Sequence, residues 1–393
     1  MGSGVASSSL KFETGRFGGP PGNSPAAPQV SVIIPTLNEA ENLRKLLPRI
    51  DAALQGRTYE VIVVDDNSPD DTQAVCDEAA RVMPVQLIVR ENPTDGLSGA
   101  VLDGMAIARG DVLAVMDADL QHPPEVLPQL IDAVAQDDAD FAIGSRYIEG
   151  ASSDERWGWA RRINSWVATW LARPFAGNTR DPMSGFFALR RARYACARNL
   201  TPLGYKIGLE LMCKTRVKRV REIPIHFGLR HAGQSKLTIR EQFRYLEHLS
   251  RLYDFSYPRL SPMVKFLVVT ALSWFVGLAA FLGSLGRSID VAASVCIAYA
   301  AALSVIAVFF ARYVRTQRRF IPRRRPWVDF AFTSLAEWAT ASLSAVYFVY
   351  RMPYAHPLEV MAICFGLGTL VRYILRKEFS HDVRGMTDRP VMG

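Results

Sequence analysis

The stretch VLAVMDADLQHPPE, residues 112–125, joins an apolar run to an acidic loop. VLAVM is the kind of short, continuous apolar run that forms a buried strand. Asp117 and Asp119 come directly after it, and Gln121 follows two residues later. Paired aspartates are common on solvated loops, but two carboxylates at the end of a buried strand are well placed to hold one hard cation. The sequence therefore predicts a Mg²⁺ or Mn²⁺ site at Asp117, Asp119 and Gln121.

Strand and helix patterns alternate on both sides of this stretch. Apolar strand runs lie at 30–34, 59–66, 85–90 and 140–145, and helical patterns cover 39–54, 97–109 and the residues after Pro123. Such alternation predicts an α/β fold with a parallel sheet covered by helices on both faces. Ligands bind at the carboxyl ends of the strands of such sheets, which is where the motifs PTLNE, DDNSPDD, DADLQ and GSRY stand. We expect these four motifs to meet in one crevice.

Several charged residues of these and later motifs suit a phosphorylated ligand. Asp65 and Asp66 end the second strand, where acidic residues commonly bind ribose hydroxyls or a base edge. The alternative role is capping of the next helix, for which Asp70 or Ser68 would serve as well. Arginine and lysine are the residue types that bind phosphate oxygens, and the candidates here are Arg146, Arg230 and Lys236. Each of them alone is more often a solvated surface charge.

Composition excludes several classes of protein. The 393 residues carry a net charge of +8, and 49% of them are hydrophobic, which rules out a disordered chain or a collagen. The five cysteines are odd in number and form no CxxC pair, so neither a disulfide framework nor a zinc site is expected. The glycine-rich motifs of dinucleotide-binding and P-loop enzymes are missing.

The C-terminal part of the chain is apolar and predicts a multi-pass membrane protein. The predicted spans lie at about 263–283, 291–311, 330–350 and 358–375. Seven arginines fall between 312 and 325, next to two of these runs, which argues against nucleic acid as their partner and for membrane lipids. The positive-inside rule then places residues 1–260 and this loop in the cytoplasm, in a bacterial or archaeal plasma membrane or its equivalent.

These patterns predict the domain boundaries. We expect a disordered tail over 1–29, an α/β domain over 30–237, amphipathic interface helices over 238–260, a four-helix transmembrane domain over 261–378 and a cytoplasmic tail over 379–393. A further amphipathic helix covers 159–173, and it and the 238–258 segment either lie at a membrane surface or face the core as ordinary helices. Glu337 lies inside the third span, where a carboxylate is either functional or part of a helix–helix hydrogen bond.

Six ordered motifs carry a resemblance to a known family. They are IIPTLNEAENL (33–43), VIVVDDNSPDDT (61–72), DADLQHPPE (117–125), GSRYIEG (144–150), RDPMSGFFALRR (180–191) and RHAGQSKL (230–237). Together they resemble the polyprenyl-phosphate hexose synthases of glycosyltransferase family 2, most closely the dolichol-phosphate mannose synthases. The four apolar runs are similar to the GtrA-like membrane domain found with such synthases. The resemblance implies a GT-A, Rossmann-like catalytic domain over about 30–255.

The resemblance also implies roles for individual residues. Family positions that hold the donor nucleotide are matched by Pro35, Leu37, Glu39, Val64 and Asp66, although the family usually has an aromatic residue where Leu37 stands. The donor–metal site is matched by Asp117, Ala118, Asp119 and Gln121. The donor and acceptor phosphates are matched by Arg146, Arg230 and Lys236, with Arg161 or Arg162 as a further acceptor-side residue. The implied catalytic residues are Asp119, Arg146, Arg230 and Lys236.

The acceptor that the resemblance implies is a polyprenyl or dolichyl phosphate, which is already ionised at neutral pH. Catalysis therefore requires stabilisation of the phosphate charges rather than a strong base. The resemblance implies inverting transfer of a hexose, with GDP-mannose as the favoured donor. A UDP-glucose enzyme remains an alternative. So does a non-enzymatic carrier or scaffold of lipid-linked sugar, although the intact Asp117/Asp119 pair argues against a dead domain. His122 is expected to be structural rather than a ligand, whereas His226 and His231 flank Arg230.

Overall fold

The chain divides into two units, Met1–Ser256 and Tyr257–Gly393. The computed structural model describes residues 27–93, 95–136, 139–153, 159–197, 200, 206–228, 239–258, 260–311 and 326–387. The division falls inside the segment 238–260 that the sequence assigns to interface helices. The predicted tail over 1–29 and the arginine-rich loop over 312–325 lie almost entirely outside the described residues, so both stay predictions.

The first unit contains a seven-stranded sheet in the order β3-β2-β1-β4-β7-β5-β8, and a two-stranded sheet of β6 and β9. The strands are β1 (Val30–Thr36), β2 (Tyr59–Asp65), β3 (Val85–Val89), β4 (Val112–Val115), β5 (Phe141–Ser145), β6 (Ser152–Ser153), β7 (Phe187–Arg190), β8 (Val220–Pro224) and β9 (His226–Phe227). The helices are α1 (Ala40–Ala53), α2 (Thr72–Ala79), α3 (Gly96–Ile107), α4 (Leu127–Ala135, after a 3-10 turn at Pro124–Val126), α5 (Trp159–Ala176), α6 (Arg191–Tyr194), α7 (Ile207–Lys214) and α8 (Ile239–Ser256). The predicted α/β class is confirmed.

The prediction of an all-parallel sheet was wrong at one strand. β3, β2, β1 and β4 are parallel to one another, but β7 lies between β4 and β5 and is antiparallel to both. Its run FALR is short and apolar, and periodicity in such a run carries no information on strand direction. The reversal matters for the site because it brings the residues before β7 to the same edge as the carboxyl ends of the other strands.

The sheet is buried on both faces. Val32 and Ile34 of β1 point to one face, where they pack with Leu43 and Leu47 of α1. Ile33 points to the other face, where the cluster includes residues of α3, α5, α7 and α8. Successive strand residues alternate between faces, so a strand covered on both sides must be apolar at nearly every position. This is why the strand runs are continuous rather than alternating.

Helices α5 and α8 are amphipathic and pack against the core with one face. Phe175 of α5 and Leu252 of α8 belong to the buried cluster, and the Tyr245 hydroxyl of α8 donates to the Ala168 carbonyl of α5 at 2.8 Å. Both helices also expose large apolar side chains, among them Trp166 and Phe243. The core-facing interpretation is therefore confirmed for one face of each helix, and contact of the exposed face with a membrane stays a prediction.

The described residues of the second unit form four long helices: α9 (Leu260–Leu285), α10 (Val291–Phe309), α11 (Pro326–Arg351) and α12 (Pro357–Thr387). Within the described residues, three segments are long and apolar enough to cross a membrane, namely α9, α10 and Pro357–Leu375 of α12. These helices indicate a membrane protein. The predicted span at 330–350 forms α11 but is not among the three, because Glu337 and several Ser and Thr residues lower its hydropathy. The start of the predicted tail over 379–393 is helical, since α12 continues to Thr387.

A buried ion pair links two of these helices. The Arg372 Nε of α12 donates to Glu337 Oε2 of α11 at 2.9 Å, and the two side chains are 3% and 0% exposed. A buried carboxylate is tolerated only when it is paired and hydrogen-bonded. This contact agrees with the structural role that the sequence left open for Glu337.

Candidate active site

The predicted motifs lie along one edge of the sheet. The carboxyl ends of β1, β2 and β4 lie at this edge because these strands are parallel. β5 runs in the same direction as β4, since both are antiparallel to β7, and β8 is parallel to β5. The segment 181–186 reaches this edge from the opposite direction because it precedes antiparallel β7. The edge therefore carries parts of the first five family-like motifs.

The ends of β1 and β2 form the side where the donor nucleotide is expected. Pro35 and Val64 are direct partners in the register of the two strands. Asp65 is buried, and its carboxylate accepts hydrogen bonds from the Thr36 hydroxyl at 2.9 Å and the Ser68 amide at 2.7 Å. These contacts make Asp65 the residue that shapes the loop after β2. The nucleotide-binding role of the neighbouring Asp66 stays a prediction.

Asp66 is held by an arginine that the sequence did not single out. Arg90 Nη1 lies 2.7 Å from Asp66 Oδ1, and the two side chains are 6% and 13% exposed. Burial raises the pKa of Asp66, and the Arg90 guanidinium opposes part of this rise. The alternative capping role belongs to Asp70 instead: its carboxylate accepts from the Thr72 amide at the start of α2 and from the Ala40 amide at the start of α1.

Two further residues assigned to the nucleotide lie between β1 and α1. Leu37 is 41% exposed. The Glu39 carboxylate accepts from the Asn42 side-chain amide at 2.5 Å, which ties it to the first turn of α1. The segment is therefore anchored at Glu39, while Leu37 offers an exposed aliphatic surface at the place where the family usually has an aromatic ring.

The acidic pair follows β4 on a tight turn. Leu120 has a φ of +62°, in the left-handed region that is costly for a non-glycine residue. The turn lets the Gln121 amide donate to Asp119 Oδ1 at 3.2 Å. Asp119 is 7% exposed, whereas the Asp117 side chain is 33% exposed. Asp119 is thus fixed by its own loop, and Asp117 is the more accessible carboxylate.

Gln121 and His122 connect this loop to the end of the domain. The Gln121 side-chain amide donates to the Gly228 carbonyl at 3.1 Å, and the Gly228 amide donates back to the Gln121 carbonyl at 3.1 Å. His122 is buried, stacks on Phe186 and meets Phe227 edge-on. Burial lowers the pKa of His122, so the imidazole is neutral at pH 7. The packing confirms that His122 has a structural environment.

Arg146, directly after β5, forms an ion pair with Asp181. Its Nε and Nη2 donate to the two Asp181 carboxylate oxygens at 2.7 and 2.8 Å, and its backbone amide donates to the same carboxylate at 3.0 Å. Asp181 is fully buried. Burial alone would lower the pKa of Arg146, but the bonds to Asp181 and its charge raise it above the usual value. The guanidinium is therefore permanently charged and fixed in orientation.

Lys206, just before α7, is a further cation that sequence reasoning missed. Its ammonium donates to the Met183 carbonyl at 3.2 Å. Burial, followed by the charge of Arg146, lowers the pKa of Lys206 to about 8, while the carboxylates of Asp181 and Asp117 act in the opposite direction. These interactions place Lys206 in the same group as the acidic loop and the Arg146–Asp181 pair. The sequence signal was weak, because a single Lys between two apolar stretches is usually a surface charge.

The Asp117 carboxylate lies next to Gly185, which allows a direct test of the position of Asp117. A Cβ on Gly185 would lie 2.8 Å from Asp117 Oδ2, closer than a Cβ approaches a non-bonded atom in a folded protein. Gly185→Ala should therefore displace the carboxylate and lower kcat by about 10- to 100-fold, measured as sugar transfer by purified protein. Gly366→Ala, where nothing lies within 4 Å of the added Cβ, is the matched control. Equal activity of the two variants would contradict a catalytic position for Asp117.

Some predicted residues lie outside the described part of the chain. They are Arg230, His231 and Lys236. Arg161 and Arg162 belong to α5, but their side chains are also outside the described part. Their roles stay predictions. Of the residues nearby that are described, His226 Nδ1 lies 2.6 Å from the Ser152 hydroxyl.

The donor set of the acidic loop suits a hard cation. Asp117, Asp119 and Gln121 together offer two carboxylates and an amide oxygen, and Mg²⁺ typically takes one or two carboxylates and completes its shell with substrate phosphates and water. Among the described residues no group of three or more His, Cys, Asp or Glu side chains is placed to hold a metal. The metal site predicted at Asp117, Asp119 and Gln121 stays a prediction, and its donor types are those that a cation shared with a phosphorylated substrate would use.

The chain is similar to several known proteins. Residues 31–195 match the family model "Glycosyl transferase family 2". A dolichol-phosphate mannosyltransferase of Pyrococcus furiosus is 38% identical over 89% of this chain and 98% of the relative, and one of Mycosarcoma maydis is 37% identical over 71% and 97%. An undecaprenyl-phosphate mannosyltransferase of Micrococcus luteus is 36% identical over 53% and 88%. A crystal structure of glucosyl-3-phosphoglycerate synthase from Mycobacterium tuberculosis is similar at a TM-score of 0.45 and 20% identity, over 58% of this chain and 79% of that one.

The relative from Pyrococcus furiosus extends over almost the whole of this chain, including its apolar helices. The family match covers the sheet from β1 through β7 and therefore most of the edge at which the acidic loop and Arg146 meet. The predicted GT-A fold class and enzyme class are confirmed. The chain belongs to glycosyl transferase family 2 and, within it, to the dolichol-phosphate mannosyltransferases.

Proposed function

We propose that this protein transfers mannose from GDP-mannose to a polyprenyl or dolichyl phosphate, with inversion at the anomeric carbon and dependence on Mg²⁺ or Mn²⁺. The relatives named above support the mannosyl product and the lipid phosphate acceptor. The observation that carries the proposal is the meeting of two opposite charge groups at one sheet edge. Asp117 and Asp119 suit a cation, while Arg146 and Lys206 suit phosphate oxygens.

The acceptor phosphate is largely ionised at pH 7, so its oxygen is already a nucleophile. A strong general base is therefore not required, and the neutral, buried His122 is consistent with this. The barrier comes instead from bringing two anions together and from the departure of a nucleoside diphosphate. Catalysis is then a matter of placing fixed charges where negative charge collects.

Each charge group takes one part of this task. A cation held by Asp117, Asp119 and Gln121 would act as a Lewis acid that offsets the charge of the leaving diphosphate. Arg146, oriented by Asp181, binds phosphate oxygens and aligns the acceptor for in-line attack. Arg230 and Lys236 are proposed to assist on the same phosphates. In-line displacement inverts the anomeric carbon, so an α-linked donor yields a β-linked product.

The lipid tail of the acceptor stays in the bilayer while its phosphate enters the site. We propose that all four helices α9 to α12 cross the membrane and that the catalytic domain is cytoplasmic, as the arginine-rich loop at 312–325 supports. The exposed aromatic side chains of α5 and α8, such as Trp166 and Phe243, suit the interfacial region of a bilayer. The domain bounds given by the sequence, with interface helices over 238–260, are part of this proposal.

Sugar transfer in liposomes tests the proposal. Purified protein receives polyprenyl phosphate, Mg²⁺ or Mn²⁺, and labelled GDP-mannose or UDP-glucose, and label entering the organic phase is counted. We expect label from GDP-mannose alone, its loss on chelation with EDTA and its return when Mg²⁺ or Mn²⁺ is restored. A product resistant to α-mannosidase would support inversion.

Other outcomes of this assay would change the assignment. Label from UDP-glucose alone would move the protein to the glucosyl alternative, which the exposed aliphatic Leu37 leaves open because an aromatic ring for base stacking is missing there. Transfer that persists in EDTA would overturn the metal dependence. Folded protein with no transfer from either donor would favour the carrier or scaffold alternative.

A further inference from the structure

Arg90 lies at the junction of three elements beside the proposed nucleotide pocket. It follows β3 directly, and its backbone amide donates to the Asp65 carbonyl at the end of β2 at 2.8 Å. Its guanidinium bonds to the Asp66 carboxylate at 2.7 Å, to the Asp103 carboxylate of α3 at 2.9 Å and to the Gly96 carbonyl at 3.1 Å. One buried side chain therefore ties the loop after β2 to the first turn of α3.

The geometry of this contact restricts Asp66. Arg90 Nη1 bonds to Oδ1 of Asp66, and a planar guanidinium held by two further acceptors has little freedom to move. The carboxylate is consequently fixed at the end of β2, at the edge where ligands of such sheets bind. A carboxylate held in one orientation accepts hydrogen bonds from a ligand without first losing conformational entropy.

We propose that Arg90 is a positioning residue for the donor nucleotide, because it fixes the Asp66 carboxylate that accepts hydrogen bonds from the nucleoside and anchors the start of α3 beside it. The inference rests on the proposed function, in which Asp66 binds the donor nucleotide. The ligand chemistry it serves is a ribose hydroxyl or a base N–H, both of which donate to a carboxylate. Arg90 itself acts through Asp66.

The charges around Asp66 predict that the effect of removing Arg90 on nucleotide binding depends on pH. Burial raises the pKa of Asp66, and Asp65 and Asp103 add to the rise, while Arg90 is the cation that opposes it. Asp103 in turn faces Arg90 and Asp95 and lies near Tyr194. Removal of Arg90 therefore leaves a buried carboxylate beside two others, so the pKa of Asp66 is raised further and its protonation begins at a higher pH than in wild type.

Nucleotide binding by the full-length protein in detergent tests the proposal, with GDP and UDP as separate probes and calorimetry as the readout. For Arg90→Met we expect the dissociation constant of the nucleotide that binds wild type to rise about 10-fold at pH 6.5. The loss should be larger at lower pH and should shrink as the pH rises and Asp66 ionises, and this dependence should be steeper than in wild type. In transfer assays the KM for the donor should rise while kcat at saturating donor and the KM for the acceptor change little.

Two further variants separate positioning from stability. Arg90→Lys keeps the positive charge but loses the planar guanidinium, so binding should be weakened less than in Arg90→Met and its pH dependence should stay close to that of wild type. Arg57→Met breaks a two-bond pair with Asp132, at 2.9 and 2.8 Å, before β2 at the opposite edge of the sheet, so it should lower the melting temperature without weakening nucleotide binding. An Arg90→Met protein whose affinity is unchanged would overturn the proposal. So would a loss of affinity that is the same at every pH and is matched by Arg57→Met.

Failure of the proposed function gives a different pattern. If wild type binds UDP and not GDP, the mannosyl donor assignment falls, and the Arg90 variants measured with UDP still decide the positioning role. If wild type binds neither nucleotide while its fold and melting temperature are intact, the nucleotide site at Asp66 is refuted, and both proposals fall together.

Discussion

Asp119→Asn should lower kcat for sugar transfer by about 10³-fold, equivalent to about 4 kcal/mol of transition-state stabilisation. The variant keeps the size of the side chain and an oxygen that can accept from the Gln121 amide, as Asp119 Oδ1 does at 3.2 Å. It removes only the negative charge that suits a divalent cation. Because Asp119 is nearly buried and fixed by its own loop, a neighbouring carboxylate cannot take its place. The measurement is the initial rate in liposomes at saturating donor and acceptor.

Asp111→Asn is the matched control for this variant. Asp111 precedes β4, whereas Asp119 follows it, and its exposed carboxylate makes only a long contact of 3.6 Å with Arg191. Surface charges of this kind contribute little to stability or function, so full activity is expected. If Asp119→Asn were as active as Asp111→Asn at every Mg²⁺ concentration, the assignment of the acidic loop would be refuted.

Arg146→Ala should have a second effect of comparable size, with kcat lowered by about 10³-fold. The variant removes the fixed cation of the site and also leaves the Asp181 carboxylate buried without its bidentate partner. A buried charge that has lost its partner costs about 3–5 kcal/mol, so a fall in melting temperature should accompany the loss of activity. Membrane insertion, measured by flotation with liposomes, should be unchanged.

Arg57→Ala separates these two effects. Arg57 makes a similar two-bond contact with Asp132, at 2.9 and 2.8 Å, but it lies before β2, at the edge of the sheet opposite the site. Its loss should lower stability and leave kcat near that of wild type. An Arg146→Ala protein that is destabilised but fully active would show that the Arg146–Asp181 pair is structural only.

The parallel strands and their acidic ends were predictable from the sequence because both leave a local signal. A continuous apolar run such as 61–64 forms a strand buried on both faces, and the residue after it stands at the ligand edge. The direction of β7 was not predictable, because it depends on pairing with β4 and β5, which are distant in sequence. The same holds for Asp181 and Arg90, whose importance appears only in their partners.

The membrane domain shows how far a local apolar signal reaches. The sequence predicted spans at both 330–350 and 358–375, and among the described residues only the second lies in a helix apolar enough to cross a membrane by composition. Ser, Thr and Glu residues reduce the hydropathy of α11, so its crossing stays a prediction. The pairing of Glu337 with Arg372 could not be read from either helix alone.

The antiparallel strand in the middle of the sheet sets the order in which the domain folds. β7 supplies the hydrogen bonds that join β4 to β5, so the sheet remains in two parts until residues 187–190 have left the ribosome. During that interval β4 has an unpaired edge, and such edges invite association between chains. Strand pairing over so long a separation is slow. We therefore expect the sheet to close only after β7 is made, and a chain that ends after Ser145 to expose the unpaired edge of β4.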